Sequence, residues 1–255
     1  AASLISRADD HPVTDAILDA AVDQLQRRFP DLRVSAQATT GTAAQDLTCA
    51  SAHAREIVLG SHGRSQSRLP LGSVAHAVAM HAACPVVVVR QSGNPEARTG
   101  PVVVGVDGSE LSLSAVDFAL EQAARRGTSM IAIHAWWVEF VDGVVVTTPG
   151  SAQWQKAAER MRLDVAETLA GCRERYPDVD VSVRLEQARP ADALVEASEY
   201  ASLVVVGARG HGGFAGLLLG SVSRELLMHA AGPVAVARSA PPIRGSRTHP
   251  AESQP

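Results

Sequence analysis

At 255 residues, with 46% hydrophobic and 20% charged positions, the chain has room for one large globular domain or two ordinary ones. A formal charge of −4, with arginines scattered rather than clustered, argues against a nucleic-acid surface, which needs a basic face. Cys49, Cys84 and Cys172 make no C-x-x-C pair and no even framework, so a disulfide scaffold or a structural zinc site is not expected. There is no apolar run of about 18 residues and no basic-then-apolar leader pattern, so a cytoplasmic protein without membrane contact is expected.

Taken in order, the first hundred residues hold an extended segment near residues 33–38 and a strand over residues 56–59. Gly60, Ser61, His62 and Gly63 follow, then eight residues, then Gly72 and Ser73 opening a helical stretch, and last the apolar strand Val86–Val89. Residues 91–100 (QSGNPEARTG) are polar and turn-rich, as a linker is. The rest of the chain repeats these features. Phe29 answers Tyr176 and Gly60 answers Gly207 at an offset of 147, and Pro85 answers Pro233 at 148, so the first copy's loop is one residue shorter. A duplication of such long period implies two homologous domains. They are expected over residues 1–91, incomplete, and 101–238, complete, with a linker at 92–100 and a Pro/Ser-rich disordered tail over 239–255.

The second copy begins with a buried strand over residues 102–106. Asp107, Gly108 and Ser109 make a turn with cap chemistry, and an amphipathic helix over 114–126 closes at Gly127. A second strand covers Met130–Ala135, followed by a variable stretch with Trp136, Trp137 and Phe140. A long helix over 154–175 stops before Pro177, residues 179–185 alternate like a strand, and residues 190–201 are helical. The β-branched run 203–206 ends at Gly207, and after the loop come a helix over 222–231 and the strand Val234–Ala237. Alternating strands and helices predict a parallel sheet with right-handed crossovers, with ligands at the carboxyl ends of the strands. The first copy has no counterpart of the segment from Pro101 to Thr147, about 47 residues. Its fourth strand is therefore expected to have one side unpaired, a costly arrangement unless another chain fills the gap or the sequence is a shortened form.

Gly207 and Gly210, nine further residues, then Gly220 and Ser221 at a helix start form the most informative spacing in the chain. Glycines let a phosphate approach the backbone, and the unpaired N–H groups of a helix's first turn attract an anion. Ser221 and Ser223 offer hydroxyls to the same group. The alternative is a tight turn with an ordinary cap serine. His211 lacks an evident orienting carboxylate and reads as structural or solvent-exposed, and His134, within a strand, reads as a core residue. The three aromatics of the variable stretch, with Trp154, read as a packing patch, stacking on a base being the alternative.

Val104-Gly105-Val106-Asp107-Gly108-Ser109 together with Gly207, Gly210, Gly220 and Ser221 resemble the universal stress protein family, in its tandem, ATP-binding branch. The resemblance runs from Ala16 to Arg238 and implies a Rossmann-like, doubly wound, five-stranded parallel sheet of order 3-2-1-4-5, present twice with the first copy truncated. It implies that Asp107 meets the adenosine part of ATP, with Gly105 and Val106 lining that pocket and Ala135 against the adenine. Val206, Gly207, Gly210, Gly220, Ser221, Val222 and Ser223 would then hold ribose and phosphates, with Arg209 as a second-rank phosphate neighbour and Mg²⁺ as the counter-ion. Asp107 as a simple cap of the next helix is the competing reading. The first copy, with no counterpart of Asp107, is expected to hold no ATP. Family members pair through the last strand, which implies a homodimer or, here, pairing of Val86–Val89 with Val234–Ala237 inside one chain. The function implied is a stress regulator that binds ATP with little or slow turnover; an ATP hydrolase or phosphotransferase and a non-binding scaffold are the alternatives.

Overall fold

The structure, a computed structural model, describes residues 12–62, 71–90, 94–136, 139–141, 144–146, 151–210 and 218–238. The first copy contributes α1 (Pro12–Arg28), α2 (Ala43–Ala50), β1 (Ile57–Gly60), α3 (Ser73–His81) and β2 (Val86–Val89). The second contributes β3 (Val102–Gly105), α4 (Glu110–Arg126), β4 (Met130–Ala135), a hairpin of β5 (Glu139–Val141) and β6 (Val144–Val146), and α5 (Ala152–Arg173). It ends with β7 (Val181–Glu186), α6 (Pro190–Ala197), β8 (Leu203–Gly207), α7 (Ser221–His229) and β9 (Val234–Ala237).

Seven strands form one sheet in the order β1-β2-β9-β8-β3-β4-β7. Its second-copy part is five parallel strands in the expected 3-2-1-4-5 order. The continuous valine runs follow from burial on both faces. In β3, Val103 packs with Val206, Leu194 and Leu226 on one side. Val102 and Val104 pack with Leu120, Leu169 and Val205 on the other. Both faces are covered, so no polar alternation is needed. Gly127 closes α4 in the left-handed conformation (φ 63°), which only glycine takes without strain.

The two copies join through their last strands. β2 and β9 run antiparallel, with Val86 opposite Val236, Val87 opposite Ala235 and Val88 opposite Val234. Val87 and Ala235 are equivalent positions of the repeat, so a local two-fold passes between them. Arginines cross this seam reciprocally: Arg90 donates to the Leu227 carbonyl at the end of α7, and Arg238 to Ala79 and Met80 at the end of α3. A polar cluster adds to the join, with Arg55 bound to Glu121 at 2.7 Å and Gln122 donating to Glu56 at 3.0 Å.

Several expectations for the first copy change. Residues 32–39 form no strand. The equivalent β7 is held by six residue pairs to β4, and the first copy offers no such neighbour among the described residues. A strand without a ladder has no partner for its backbone groups. β1 is an edge of the sheet, and Val58 is 58% exposed. The presumed linker is partly ordered: Glu96–Thr99 form a 3₁₀ turn with Ala97 buried beneath it. The presumed tail from Ser239, together with Trp137, Gly63 and His211, lies outside the described residues. No described helix is long and apolar enough to cross a membrane.

Candidate functional site

The carboxyl ends of β3, β4 and β8 and the start of α7 enclose a cavity of about 430 Å³. All twelve residues singled out from the sequence line it. Gly105, Val106 and Asp107 come from the end of β3, and Ala135 from the end of β4. Val206, Gly207, Arg209 and Gly210 come from the end of β8, and Gly220, Ser221, Val222 and Ser223 from the start of α7. Residues a hundred positions apart meet because β3 and β8 are hydrogen-bonded neighbours, with Val104 opposite Val205.

Asp107 is a turn-former here rather than the helix cap. Its Oδ1 accepts from Ser109 N at 3.1 Å and from Ser109 Oγ at 2.6 Å, and Ser109 occupies the cap position of α4. Its Oδ2 lies against the glycine loop: a Cβ added to Gly210 would stand 2.7 Å from it. A side chain at 210 would therefore displace the Asp107 carboxylate from its present position against the loop. Gly105 is similarly placed, since a Cβ there would meet Leu194 Cδ1 at 2.6 Å.

The start of α7, which also lines the cavity, is suited to negative charge. Gly220 precedes α7 without a side-chain cap, so no side chain caps the N–H groups of the first turn, where the helix dipole is positive. Gly220 N itself bonds Ala208 O at 2.7 Å, which closes the loop. Arg209 and Ser221 are exposed at the cavity mouth. Ser223 is buried, and its hydroxyl donates to the Gly207 carbonyl at 2.7 Å, so it ties α7 to β8.

Reading the sequence missed Ser112, Ile133, Pro190, Leu194 and Arg224, which also line the cavity. Pro190 and Leu194 belong to α6, which lies over β3 and β4. Arg224 was within reach of a sequence argument, because it falls one helical turn after Ser221. His134 is half-buried, with Nδ1 3.0 Å from the Val106 carbonyl, so it is a structural residue behind the cavity. Trp136 and Trp154 pack together at 6.1 Å between ring centroids, with Met161 beside them. They form a packing patch apart from the cavity.

The sequence profile of the universal stress protein family matches residues 3–90 and 99–238, once for each copy. The chain belongs to the universal stress protein family. A universal stress protein of Mycobacterium tuberculosis is 42% identical over 210 residues, covering 81% of this chain and 70% of that protein. One from Mycolicibacterium smegmatis is 38% identical over 229 residues, 86% of this chain and 76% of its own. The crystal structure of a universal stress protein from Archaeoglobus fulgidus superimposes with a TM-score of 0.55 at 19% identity, covering 92% of this chain and 85% of that one, and so shares the fold.

The two universal-stress-protein copies keep the same loop closure. Gly72 N bonds Ser61 O at 2.7 Å, as Gly220 N bonds Ala208 O. Ser51 Oγ accepts from Ala83 N at 2.8 Å, as Ser198 Oγ accepts from Ala231 N. The first copy differs in having, among the described residues, no strand beside β1 to carry a counterpart of Asp107.

Proposed function

We propose that the second copy is a receptor for an adenine nucleotide, ATP, with Mg²⁺ as its counter-ion, and that the protein is a nucleotide-dependent stress regulator in the cytoplasm. The supporting observation is the lining of the cavity, which combines a carboxylate acceptor and apolar side chains with a helix start, hydroxyl and guanidinium groups. Ile133, Ala135 and Leu194 suit a base, and Asp107 suits ribose hydroxyls or the exocyclic amine. Glycine at 207 and 210 suits close passage of the phosphate chain toward α7. Arg209, Ser221 and Arg224 suit its charge. Asp107 would repel phosphates, and its Oδ2 lies against Gly210, so the phosphates are placed beyond Gly210 at the start of α7 and the ribose beside Asp107.

Little turnover is part of the same reading. Hydrolysis needs a group that positions the attacking water as well as charge stabilisers. The described lining residues offer stabilisers, but their one carboxylate, Asp107, already accepts two bonds from Ser109. Occupancy rather than chemistry is then the signal. The test is calorimetric titration with Mg-ATP of the wild type, Asp107→Ala and Gly210→Val, with phosphate release measured in parallel. One site per chain, lost in both variants, with release near background is the expected result. Two sites, or binding untouched by both variants, would overturn the assignment to the second copy. Rapid release would overturn the slow-turnover part.

A further inference from the structure

The duplication builds two equivalent clefts where the copies meet. In one, Arg90 stands with Ser61 and His62 near Ala230 and Ala231. In the other, Arg238 stands with Ala208 and Arg209 near Ala82 and Ala83. Each arginine directly follows the last strand of its copy and reaches the end of the other copy's helix. Arg238 Nη2 donates to Ala79 O at 2.5 Å and to Met80 O at 2.8 Å, and Arg90 donates to Leu227 O. In both, Nε is buried without a hydrogen-bond partner. The cross-seam bonds fix the two guanidiniums but do not fully satisfy them.

The clefts differ in one respect that matters. His62 in the first is Arg209 in the second, so the second holds two guanidiniums. No carboxylate lines it among the described residues; its remaining walls are small alanines and Ser114. Burial disfavours the charge on Arg238, and the nearby charge of Arg209 adds to that in smaller measure. Some arginines elsewhere have acidic partners, as Arg55 and Arg125 do in Glu121 and Arg175 in Asp117. Two like charges in a small-walled cleft raise the energy unless an anion sits with them. The space, about 270 Å³, is several times a water's share of about 30 Å³.

We propose that this cleft between the copies is an oxyanion site that holds a phosphate group between Arg209 and Arg238. Bidentate contact between guanidinium and phosphate is a strong, charge-assisted interaction, and the alanines leave it room. Arg209 also lines the larger cavity, so the two spaces share a wall. The phosphate has two possible sources: the free ion, or the end of a phosphate chain whose nucleotide lies in that cavity. Only the second source rests on the proposed function.

The test uses the whole chain and inorganic phosphate at constant ionic strength, read by titration and by the rise in Tm that ligand binding produces. Arg238→Gln and Ala83→Asp are compared with Arg90→Gln. Ala83→Asp puts a carboxylate into the cleft while keeping the Arg238 bonds to α3, so it stands in should Arg238→Gln fail to fold. Both cleft variants are expected to weaken phosphate about tenfold or more, the scale of one charge-assisted contact, with Arg90→Gln within about twofold of wild type. Titrations with AMP and ATP separate the sources. If Arg238→Gln weakens ATP but not AMP, the group is the end of the nucleotide's chain; if it weakens only inorganic phosphate, it is the free ion. A phosphate response unchanged in both cleft variants, absent from the wild type, or abolished by AMP would overturn the site. Phosphate binding with the expected pattern in a chain that takes no nucleotide would sink the proposed function and leave the oxyanion site standing.

Discussion

Ser223→Ala separates a hydroxyl that shapes the loop from one that touches the ligand. Ser223 is 2% exposed, and its Oγ donates to the Gly207 carbonyl at 2.7 Å, joining the first turn of α7 to the end of β8. Alanine removes one net hydrogen bond and leaves an acceptor short of its donor, together a loss of about 1–3 kcal/mol. For a chain of this size each kcal/mol moves Tm by about 2–4 °C, so the unliganded protein is expected to melt roughly 2–12 °C lower. Ser221→Ala is the contrasting change. Ser221 is exposed at the cavity mouth, so its loss is expected to leave Tm unchanged and to weaken ATP about fivefold, the scale of one hydrogen bond. Thermal unfolding without ligand and calorimetric titration with ATP read both variants. Should Ser223→Ala melt within about 1 °C of wild type yet lose ATP binding, its hydroxyl goes to the ligand and the argument from the Gly207 bond is wrong.

Two further outcomes follow from the same geometry. Gly105→Ala drives a Cβ to 2.6 Å from the buried Leu194 Cδ1 and is expected to cost about 1–3 kcal/mol in denaturant unfolding. Leu194→Ala in the same chain is expected to recover part of that cost, and strict additivity of the two changes would refute the contact. Glu186 carries a carboxyl pushed up by burial and then by Glu196, against the pull of Arg184. Its folded form prefers the proton, so stability is lost as pH rises from about 4 through the carboxylate range. Glu186→Gln is expected to flatten that slope and to melt higher at neutral pH; an unchanged slope in the variant refutes it.

The cavity was legible in the sequence to the extent that its residues stand at strand ends. Asp107 ends the run from Val102 and Gly210 follows the run from Leu203, and a doubly wound sheet brings such ends together. Pro190 and Leu194 were not legible, because their place depends on how α6 crosses the sheet and not on any local pattern. The strand expected near residues 33–38 failed for a related reason. Its alternation is real, but a strand is a relation between two segments, and the described first copy holds only one of them. Helix boundaries were nearly right at α7, where Gly220 stands at the N-cap position, and less so at α4, which begins at Glu110, directly after the turn of residues 107–109, rather than at Ser114. The turn-rich composition of residues 92–100 is met by the 3₁₀ turn at Glu96–Thr99, but its buried Ala97 was not legible, being one residue among polar neighbours.

The seam is nearly symmetric, while the copies on its two sides are not. Antiparallel pairing of β2 with β9 makes the strand pairs and the arginine contacts nearly reciprocal, as Arg90 to α7 and Arg238 to α3 show, whereas the contacts of Arg55 with Glu121 and of Gln122 with Glu56 are one-sided. The reciprocal contacts hold the copies together from both sides and by themselves assign neither a task. The asymmetry of the copies comes from what surrounds the seam. Beyond β9 the sheet continues through β8 into β3, which carries Asp107 to the glycine loop; beyond β2 it ends at β1. Substituting His62 for Arg209 then removes one of two guanidiniums from the first cleft. Positive charge and a carboxylate acceptor thus gather on one side of a symmetric joint, and that side is where the proposed function and the proposed oxyanion site both place a phosphorylated ligand.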